Sequence, residues 1–375
     1  MISGLIVVVL VITFLLYSLL IGSLYAGYLR IQAFTRNASE PTTAFSIVIP
    51  FRNEATQLPT LLHSLHQLQY PKEKFEMLFV DDQSDDGSRE IVQTYMEKFP
   101  KFHGRVISNQ NPGGAPKKAA IALAISQAQH PWIVTTDADV QVSPLWLQTL
   151  NDFIQEKKPV LVAAPVVFTA EKNNWLHHLQ KQESIILSTV TMGAFGLKQA
   201  FMCNGANLAY SKNAFLTVGG FSGNENISSG DDVFILQKIR AHFPERVYFL
   251  KSTAAIVTTQ TENSWRKLIQ QRLRWASKTP AYTGFYPKTL ALITACMNLF
   301  LLISFFLLPL SPLPGILLVA KIGVDSLMLF PHGKFLKQPI SVLGYFFNSL
   351  IYPILVGIVV WGTWWGSYSW KGRRF

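Results

Sequence analysis

The chain has 375 residues, 49% of them hydrophobic and 15% charged, with a formal net charge of +11. Such a composition excludes a disordered chain and is too apolar for an ordinary soluble enzyme. Two widely separated cysteines, Cys203 and Cys296, exclude a disulfide scaffold, give no metal-ligand spacing and fit a reducing compartment.

Charge is distributed unevenly. Residues 1–29 carry none, residues 30–279 carry 26 Lys and Arg against 21 Asp and Glu, and residues 280–375 carry 7 against 1. The middle is therefore a nearly balanced soluble domain between apolar flanks. The basic surplus follows membrane edges, so it needs no nucleic-acid partner.

From Ile2 to Leu29 the chain is uncharged, longer than the roughly 20 residues that span a hydrocarbon core. No basic n-region precedes it, so it reads as an uncleaved transmembrane anchor over residues 1–30. Arg30 and Arg36 follow this segment and no Lys or Arg precedes it. The positive-inside bias then predicts an N-terminus outside the cell (inner) membrane and a cytoplasmic domain after the anchor.

Phe45–Pro50 is a β-branched apolar run and is predicted to form a buried strand, followed by helical spacing over Leu58–Leu68. A second strand, Met77–Val80, runs into the acidic turn Asp81–Gly87. A third, Arg105–Ser108, precedes a Gly/Pro loop at Asn111–Pro116 and an alanine-rich helix from Lys117 to Gln129. Trp132–Thr136 forms a fourth strand that stops at Asp137-Ala-Asp139. This alternation predicts an α/β domain of parallel units, with ligands beyond the carboxyl ends of the strands.

From Val160 the order is more mixed, with a long helix around Trp175–Lys198, a loop-rich segment at Gly219–Gly230 and a helix starting at Asp231. The soluble domain is assigned to residues 45–260. Residues 261–280 are amphipathic: Trp265, Leu268, Ile269, Leu273 and Ala276 follow helical spacing, while Arg266, Lys267 and Arg274 take other faces. A helix of this kind just before a membrane span is predicted to lie along the interface.

Residues 289–370 hold three further apolar stretches. Thr289–Leu310 is a clean span. Gly315–Phe330 contains Lys321 and Asp325, four residues apart on one helical face, which read either as a structural charge pair or as a polar patch facing a lipid head group. Lys334 and Lys337 mark a cytoplasmic loop. The last stretch, Gln338–Trp370, is expected to bend near Tyr352-Pro353 and return Lys371, Arg373 and Arg374 to the cytoplasm.

Asp137 and Asp139 place two hard oxygen donors just past a strand, where they can hold a Mg²⁺ or Mn²⁺ that also contacts a diphosphate. An isolated Asp-x-Asp is equally good turn chemistry, and the same holds for Asp81 and Asp82. The alternative role for the latter pair is to accept a hydrogen bond from a nucleobase N–H. His177-His178 reads as a surface pair, since no third ligand occurs at metal-binding spacing. Neither a Gly-x-Ser-x-Gly elbow nor a Walker lysine motif occurs.

In chain order, SIVIPFRNE (46–54), FVDDQSDDGS (79–88), GGAPKKAAIALAI (113–125), IVTTDADV (133–140), NGANLAYSKNAFLTVGGF (204–221), SGDDVFILQKI (229–239) and QQRLRW (270–275) resemble the family-2 glycosyltransferases. These are inverting enzymes of the GT-A fold, Rossmann-like α/β domains that take a sugar from a nucleotide donor. The resemblance covers nearly all of residues 45–279. It implies a donor site of Pro50, Arg52, Glu54, Asp81, Asp82, Lys117 and Asp137, with Asp82 reading the base and a UDP-sugar as donor. Asp137 and Asp139 would hold the divalent metal, Asp232 would be the catalytic base, and Asn204, Asp231 and Trp275 would meet the acceptor. Gln271, Arg274 and Trp275 match the Gln-x-x-Arg-Trp motif of membrane-bound members, in which Gln and Arg would address the diphosphate. An interfacial Trp with snorkelling arginines would give the same residues.

Two departures stand out. Asp231-Asp232 replaces the commoner Glu-Asp, and Ala120-Ile121-Ala122 replaces Ala-Leu-Asn, which puts the contact of that asparagine in doubt. The resulting expectation is a membrane-bound glycosyltransferase of the cell envelope acting on a lipid or lipid-linked acceptor to make a glycolipid. The alternatives are a processive polysaccharide synthase and a catalytically silent membrane scaffold.

Overall fold

The computed structural model describes residues 4–110, 114–170, 174–309, 311–365, 369–371 and 373–374. The chain begins with α1 (Gly4–Arg30). Then come β1 (Phe45–Phe51), α2 (Leu58–His66), β2 (Phe75–Asp81), α3 (Ser88–Lys98), β3 (Gly104–Ser108), α4 (Pro116–Gln127) and β4 (Trp132–Thr135). Next are β5 (Val140–Val142), α5 (Trp146–Lys157), β6 (Leu161–Ala163), β7 (Val166–Thr169), α6 (Trp175–Gly196), β8 (Leu208–Ser211) and α7 (Lys212–Thr217). α8 (Asp231–His242), β9 (Val247–Phe249), β10 (Val257–Gln260) and α9 (Trp265–Ala276) follow. The last helices are α10 (Phe285–Leu307), α11 (Leu313–Phe335) and α12 (Val342–Trp365). The expected Gly/Pro loop lies outside the described residues over Asn111–Gly113.

These elements form two units. The first comprises Ile31–Thr169 and Ala200–Gln260. Its main sheet has strand order β3-β2-β1-β4-β8-β6-β9, with β1 parallel to β2 and β4, and β8 antiparallel to β4 and β6. A small sheet, β5-β10-β7, completes it. β1 is central because Phe45, Ile47, Val48 and Ile49 are all inaccessible to solvent, as an all-apolar strand covered on both faces must be. One core cluster joins Phe45, Ile47 and Ile49 to Leu61, Leu62 and Leu65 of α2, to Phe79 of β2 and to Trp146 of α5. The unit starts before the expected residue 45: Phe34 N–H bonds to the Lys251 carbonyl at 2.7 Å, and Arg36 pairs with the buried Asp152 at 3.3 Å.

The second unit comprises Met1–Arg30, Ala170–Gln199 and Thr261–Phe375. Thus α6, which the sequence places inside the soluble domain, groups with α1 and the C-terminal helices. The reason is a helix crossing without side chains: a Cβ on Gly196 would lie 1.9 Å from the Gly27 carbonyl oxygen, and one on Gly193 would lie 2.3 Å from that of Leu24. Among the described residues, four helices are long and apolar enough to cross a membrane: Gly4–Arg30, Phe285–Ile303, Leu313–Phe335 and Val342–Trp364. α12 runs unbroken through Pro353, so the bend expected there does not occur.

Within α11, Lys321 is 2% exposed and its Nζ lies 2.7 Å from Asp325, which also accepts the Tyr17 hydroxyl of α1 at 2.5 Å. Of the two readings of this pair, the geometry is that of an internal charge pair linking two helices. His177 also differs from expectation. It is buried, and its Nδ1 lies 2.5 Å from the Thr261 hydroxyl, while His178 is exposed.

Candidate active site

The chain runs from β1 outward to β2 and β3 and then returns to β4 on the other side of β1, so the strand order reverses there, and ligands of such sheets bind in the crevice beyond the strand ends at that point. At the end of β2, the Asp81 carboxylate accepts the Ser84 N–H at 3.0 Å and faces Arg89 at 3.6 Å. The buried Asp82 carboxylate accepts from Asn109 Nδ2 at 3.0 Å. Asp81 thus shapes the turn, whereas Asp82 points toward the residue that follows β3.

Arg52, just past β1, donates to the carbonyls of Asp82 and Gln83, each at 2.7 Å. Asn53 and Gln83 have φ values of 53° and 62°, unfavourable for residues with a Cβ. Cross-links between the two turns offset this cost: Asn53 N–H donates to Ser84 Oγ at 3.2 Å, and Asp85 N–H donates to Asn53 Oδ1 at 3.0 Å. Glu54 is half-buried and donates its N–H to Ser88 Oγ at 2.8 Å. Pro50, also half-buried, sits in register with Val80. The β1 and β2 ends therefore form one braced rim.

Lys117 enters from the first turn of α4. Its Nζ lies 2.7 Å from Asp137 Oδ1 and 3.4 Å from Asp231 Oδ2. Burial opposes the charge on Lys117, but the carboxylates of Asp137, Asp231 and Asp232 outweigh it and hold its pKa well above the ordinary lysine value. The same neighbourhood raises Tyr210, through burial first and then Asp231.

Asp231 and Asp232 open α8 directly after Gly230, whose φ of 85° is left-handed. Carboxylates are favoured there by the helix dipole. Asp232 Oδ1 accepts the Val233 N–H at 2.8 Å, and its Oδ2 accepts the Gly205 N–H at 3.1 Å. Asn204 accepts the Ala206 N–H at 3.0 Å, while the Thr135 and Thr136 hydroxyls donate to the carbonyls of Gly205 and Ala206 at 2.9 and 2.8 Å. Segment 204–206 is thereby fixed between the end of β4 and Asp232. A Cβ on Gly205 would stand 3.2 Å from Asp231 Oδ2.

Asp139 is exposed and Asp137 partly so, just beyond β4. Among the described residues no group of three His, Cys, Asp or Glu converges on one point. Two accessible carboxylates fit a Mg²⁺ or Mn²⁺ that completes its shell with water and diphosphate oxygens, as such ions do.

Gln271, Arg274 and Trp275 belong to the other unit, on α9. Gln271 Nε2 donates to Glu262 at 3.3 Å, and one face of the Trp275 ring is covered by the Arg272 guanidinium, 4.1 Å from the ring centroid.

Sequence reasoning missed four residues here. Asn109 bridges Asp82 and the Pro116 carbonyl. Lys118, 2% exposed, donates to the Asn224 carbonyl at 2.8 Å and lies 4.4 Å from the Phe234 ring centre. Arg272 and Glu183 form a buried pair. A signal existed for Arg272, since it falls one turn after Leu268 on the apolar stripe of α9, where a charge requires a partner.

Residues 46–219 match the profile of Glycosyl transferase family 2. A probable glycosyltransferase of Bacillus subtilis, YdaM, is 25% identical over 236 residues, 62% of this chain and 54% of that protein. An undecaprenyl-phosphate 4-deoxy-4-formamido-L-arabinose transferase of Pseudomonas savastanoi pv. phaseolicola is 37% identical over 105 residues, 28% of this chain and 30% of that one. The chain thus spans about half or less of the length of these relatives. The mannosyltransferase PcManGT of Pyrobaculum calidifontis, solved with GDP-Man and Mn²⁺, superposes with a TM-score of 0.58 at 17% identity, covering 96% of this chain and 98% of that one, a likeness of fold.

Proposed function

We propose that this chain, whose residues 46–219 match the profile of Glycosyl transferase family 2 on a GT-A fold, transfers a sugar, with inversion, from a nucleotide-sugar donor to a lipid or lipid-linked acceptor at the cytoplasmic face of the cell membrane. The observation that carries this reading is the convergence of Lys117, Asp137 and Asp231 at the strand ends beside a fixed Asp232, in a chain with four membrane-length helices. The undecaprenyl-phosphate transferase among the relatives supports the lipid-linked acceptor, and the Mn²⁺ bound by PcManGT supports the metal.

Asp82 and the rim of Pro50, Arg52 and Glu54 receive the nucleoside, and a UDP-sugar is the favoured donor. Asp137 and Asp139 hold the divalent ion, which supplies positive charge against the diphosphate. Lys117 adds a second cation that stays protonated. Asp232, oriented by two backbone N–H groups, takes the proton of the acceptor hydroxyl as that oxygen attacks the anomeric carbon. The nucleoside diphosphate departs from the opposite face, where Lys117 stabilises its charge. Gln271 and Arg274 serve the diphosphate and Trp275 the acceptor, a role that rests on the motif alone.

Were all four apolar helices of the described residues to cross, a Gly4 end lying outside would put Lys371 and Arg373 outside as well, against the usual charge bias.

Purified protein in lipid nanodiscs should be offered labelled UDP- and GDP-sugars with Mg²⁺ or Mn²⁺ and a bacterial lipid extract, and the lipid products separated by size. One added sugar is the expected result. A ladder of long products would replace this reading by a polysaccharide synthase, and no transfer from any donor would leave the silent scaffold.

A further inference from the structure

We propose that Arg272 and Glu183 are positioning residues that set the geometry of Gln271 and Trp275; the inference rests on the reading of those two side chains as substrate contacts. Arg272 sits inside the Gln271-Arg-Leu-Arg-Trp275 run, with its side chain 6% exposed. Its Nε lies 3.0 Å from both carboxylate oxygens of Glu183 on α6, and its Nη2 lies 2.5 Å from Oε2. The Nη1 of the same guanidinium donates to Gln271 Oε1, and its plane covers the Trp275 ring at 4.1 Å. One planar cation therefore touches two of the three motif side chains and is itself held by two of its three nitrogens.

The rest of the contact has the same sense. Gln271 uses its oxygen on Arg272 and its nitrogen on Glu262, at 3.3 Å, so its amide has a defined orientation. The Tyr352 hydroxyl of α12 approaches Glu183 Oε1 at 3.5 Å. Around these polar groups, Leu176, Leu179, Leu268 and Leu355 form an apolar cluster that already docks α6, α9 and α12. Adhesion between the helices thus has its own residues. A buried ion pair is no better at adhesion than packed hydrocarbon of the same volume. What it adds is direction, because a guanidinium offers five N–H donors in one plane and an aromatic-stacking face, and an ammonium offers neither.

The test is a double-mutant cycle on the full chain in nanodiscs, using the labelled UDP- and GDP-sugar panel. Arg272→Lys keeps the charge and loses the plane; Trp275→Phe removes the indole. Arg272→Lys should lower kcat by about tenfold or more in the parent and by a several-fold smaller factor in the Trp275→Phe background, where only the route through Gln271 remains, because residues acting as a unit are not additive. A cooperative unfolding transition within a few degrees of the parent's in both separates this outcome from misfolding. Glu183→Asp, which keeps the carboxylate but shortens its reach, goes through the same cycle in case Arg272→Lys does not fold, and should behave alike.

A second readout needs no turnover: the emission of the parent minus that of Trp275→Phe reports the Trp275 indole, and Arg272→Lys should change that difference spectrum. Equal losses in the two backgrounds, or an unchanged difference spectrum, would overturn the inference while leaving the motif's role in place. Parental activity in Trp275→Phe alone would instead overturn the reading of the motif, and the inference with it.

Discussion

Lys117 and Asp137 form an ion pair of 2.7 Å at the point where α4 meets the end of β4. With Asp231 at 3.4 Å on the same ammonium, the protein's own cation sits among carboxylates that otherwise would repel one another and a diphosphate. One ammonium thus offsets part of the charge of Asp137, Asp231 and Asp232 before any substrate arrives.

Lys117→Met should reduce donor affinity by about tenfold or more, since a hydrogen bond to a charged group contributes about 1.5–3 kcal/mol. The pH dependence has a defined sign. The folded pKa of Lys117 is raised, so its contribution to stability is fully present below the unfolded value of 10.5 and is lost as pH rises through the folded one. The stability difference between parent and Lys117→Met should therefore be flat from about pH 6 to 9 and shrink only above about 10.5. Thermal unfolding across that range checks it, and a midpoint near neutral pH would contradict the ion pair.

Asp139→Ala should weaken metal-dependent donor binding while leaving the fold intact, because Asp139 is exposed at the end of β4. Calorimetry with UDP-sugar and Mn²⁺, repeated with chelator, reads both effects. Affinity that is parental and indifferent to chelator would remove the metal role from Asp137 and Asp139.

Asp232→Asn keeps the side chain's size and removes its ability to take a proton. General-base catalysis is typically worth about 10² to 10⁴ in rate, so transfer should fall by that range. Donor binding should hold within a few fold. A variant that transfers at the parental rate would exclude Asp232 as the base.

Gly196→Val should pull α6 away from α1, because its first side-chain atom would lie 1.9 Å from the Gly27 carbonyl oxygen. Overpacking of this kind costs about 1–3 kcal/mol, measurable as a lowered unfolding temperature in detergent. Gly22→Ala on α1 is the control: nothing stands within 4 Å of its added Cβ, and stability should not fall.

Local pattern was enough for much of this protein. The β-branched runs at Phe45–Pro50 and Trp132–Thr136 became β1 and β4 because strand formation there needs only an apolar stretch that both faces can bury. The length of Ile2–Leu29 by itself requires a helix of the kind seen in α1, since a backbone in hydrocarbon must bond to itself. Candidate residues at the strand ends were legible for a similar reason: an Asp-x-Asp after a buried strand can lie only beyond its carboxyl end.

Tertiary structure decided the pairings. Of two adjacent lysines, Lys117 meets Asp137 and Asp231, while Lys118 turns to Asn224 and Phe234; no spacing rule separates them, because the partners lie just beyond β4, on α8 and in the loop between α7 and α8. Likewise, an arginine between Gln271 and Trp275 becomes a buried anchor only when Glu183 of α6 reaches it. α6 left the soluble unit through a close approach of carbonyls at Gly27, Gly193 and Gly196, which hydropathy does not register. Pro353 failed to bend the last helix into a hairpin, since proline removes one hydrogen bond and neighbouring turns keep theirs. In each case the deciding energy is a contact between residues far apart in sequence, and only the folded chain specifies which of several chemically equivalent partners is within reach.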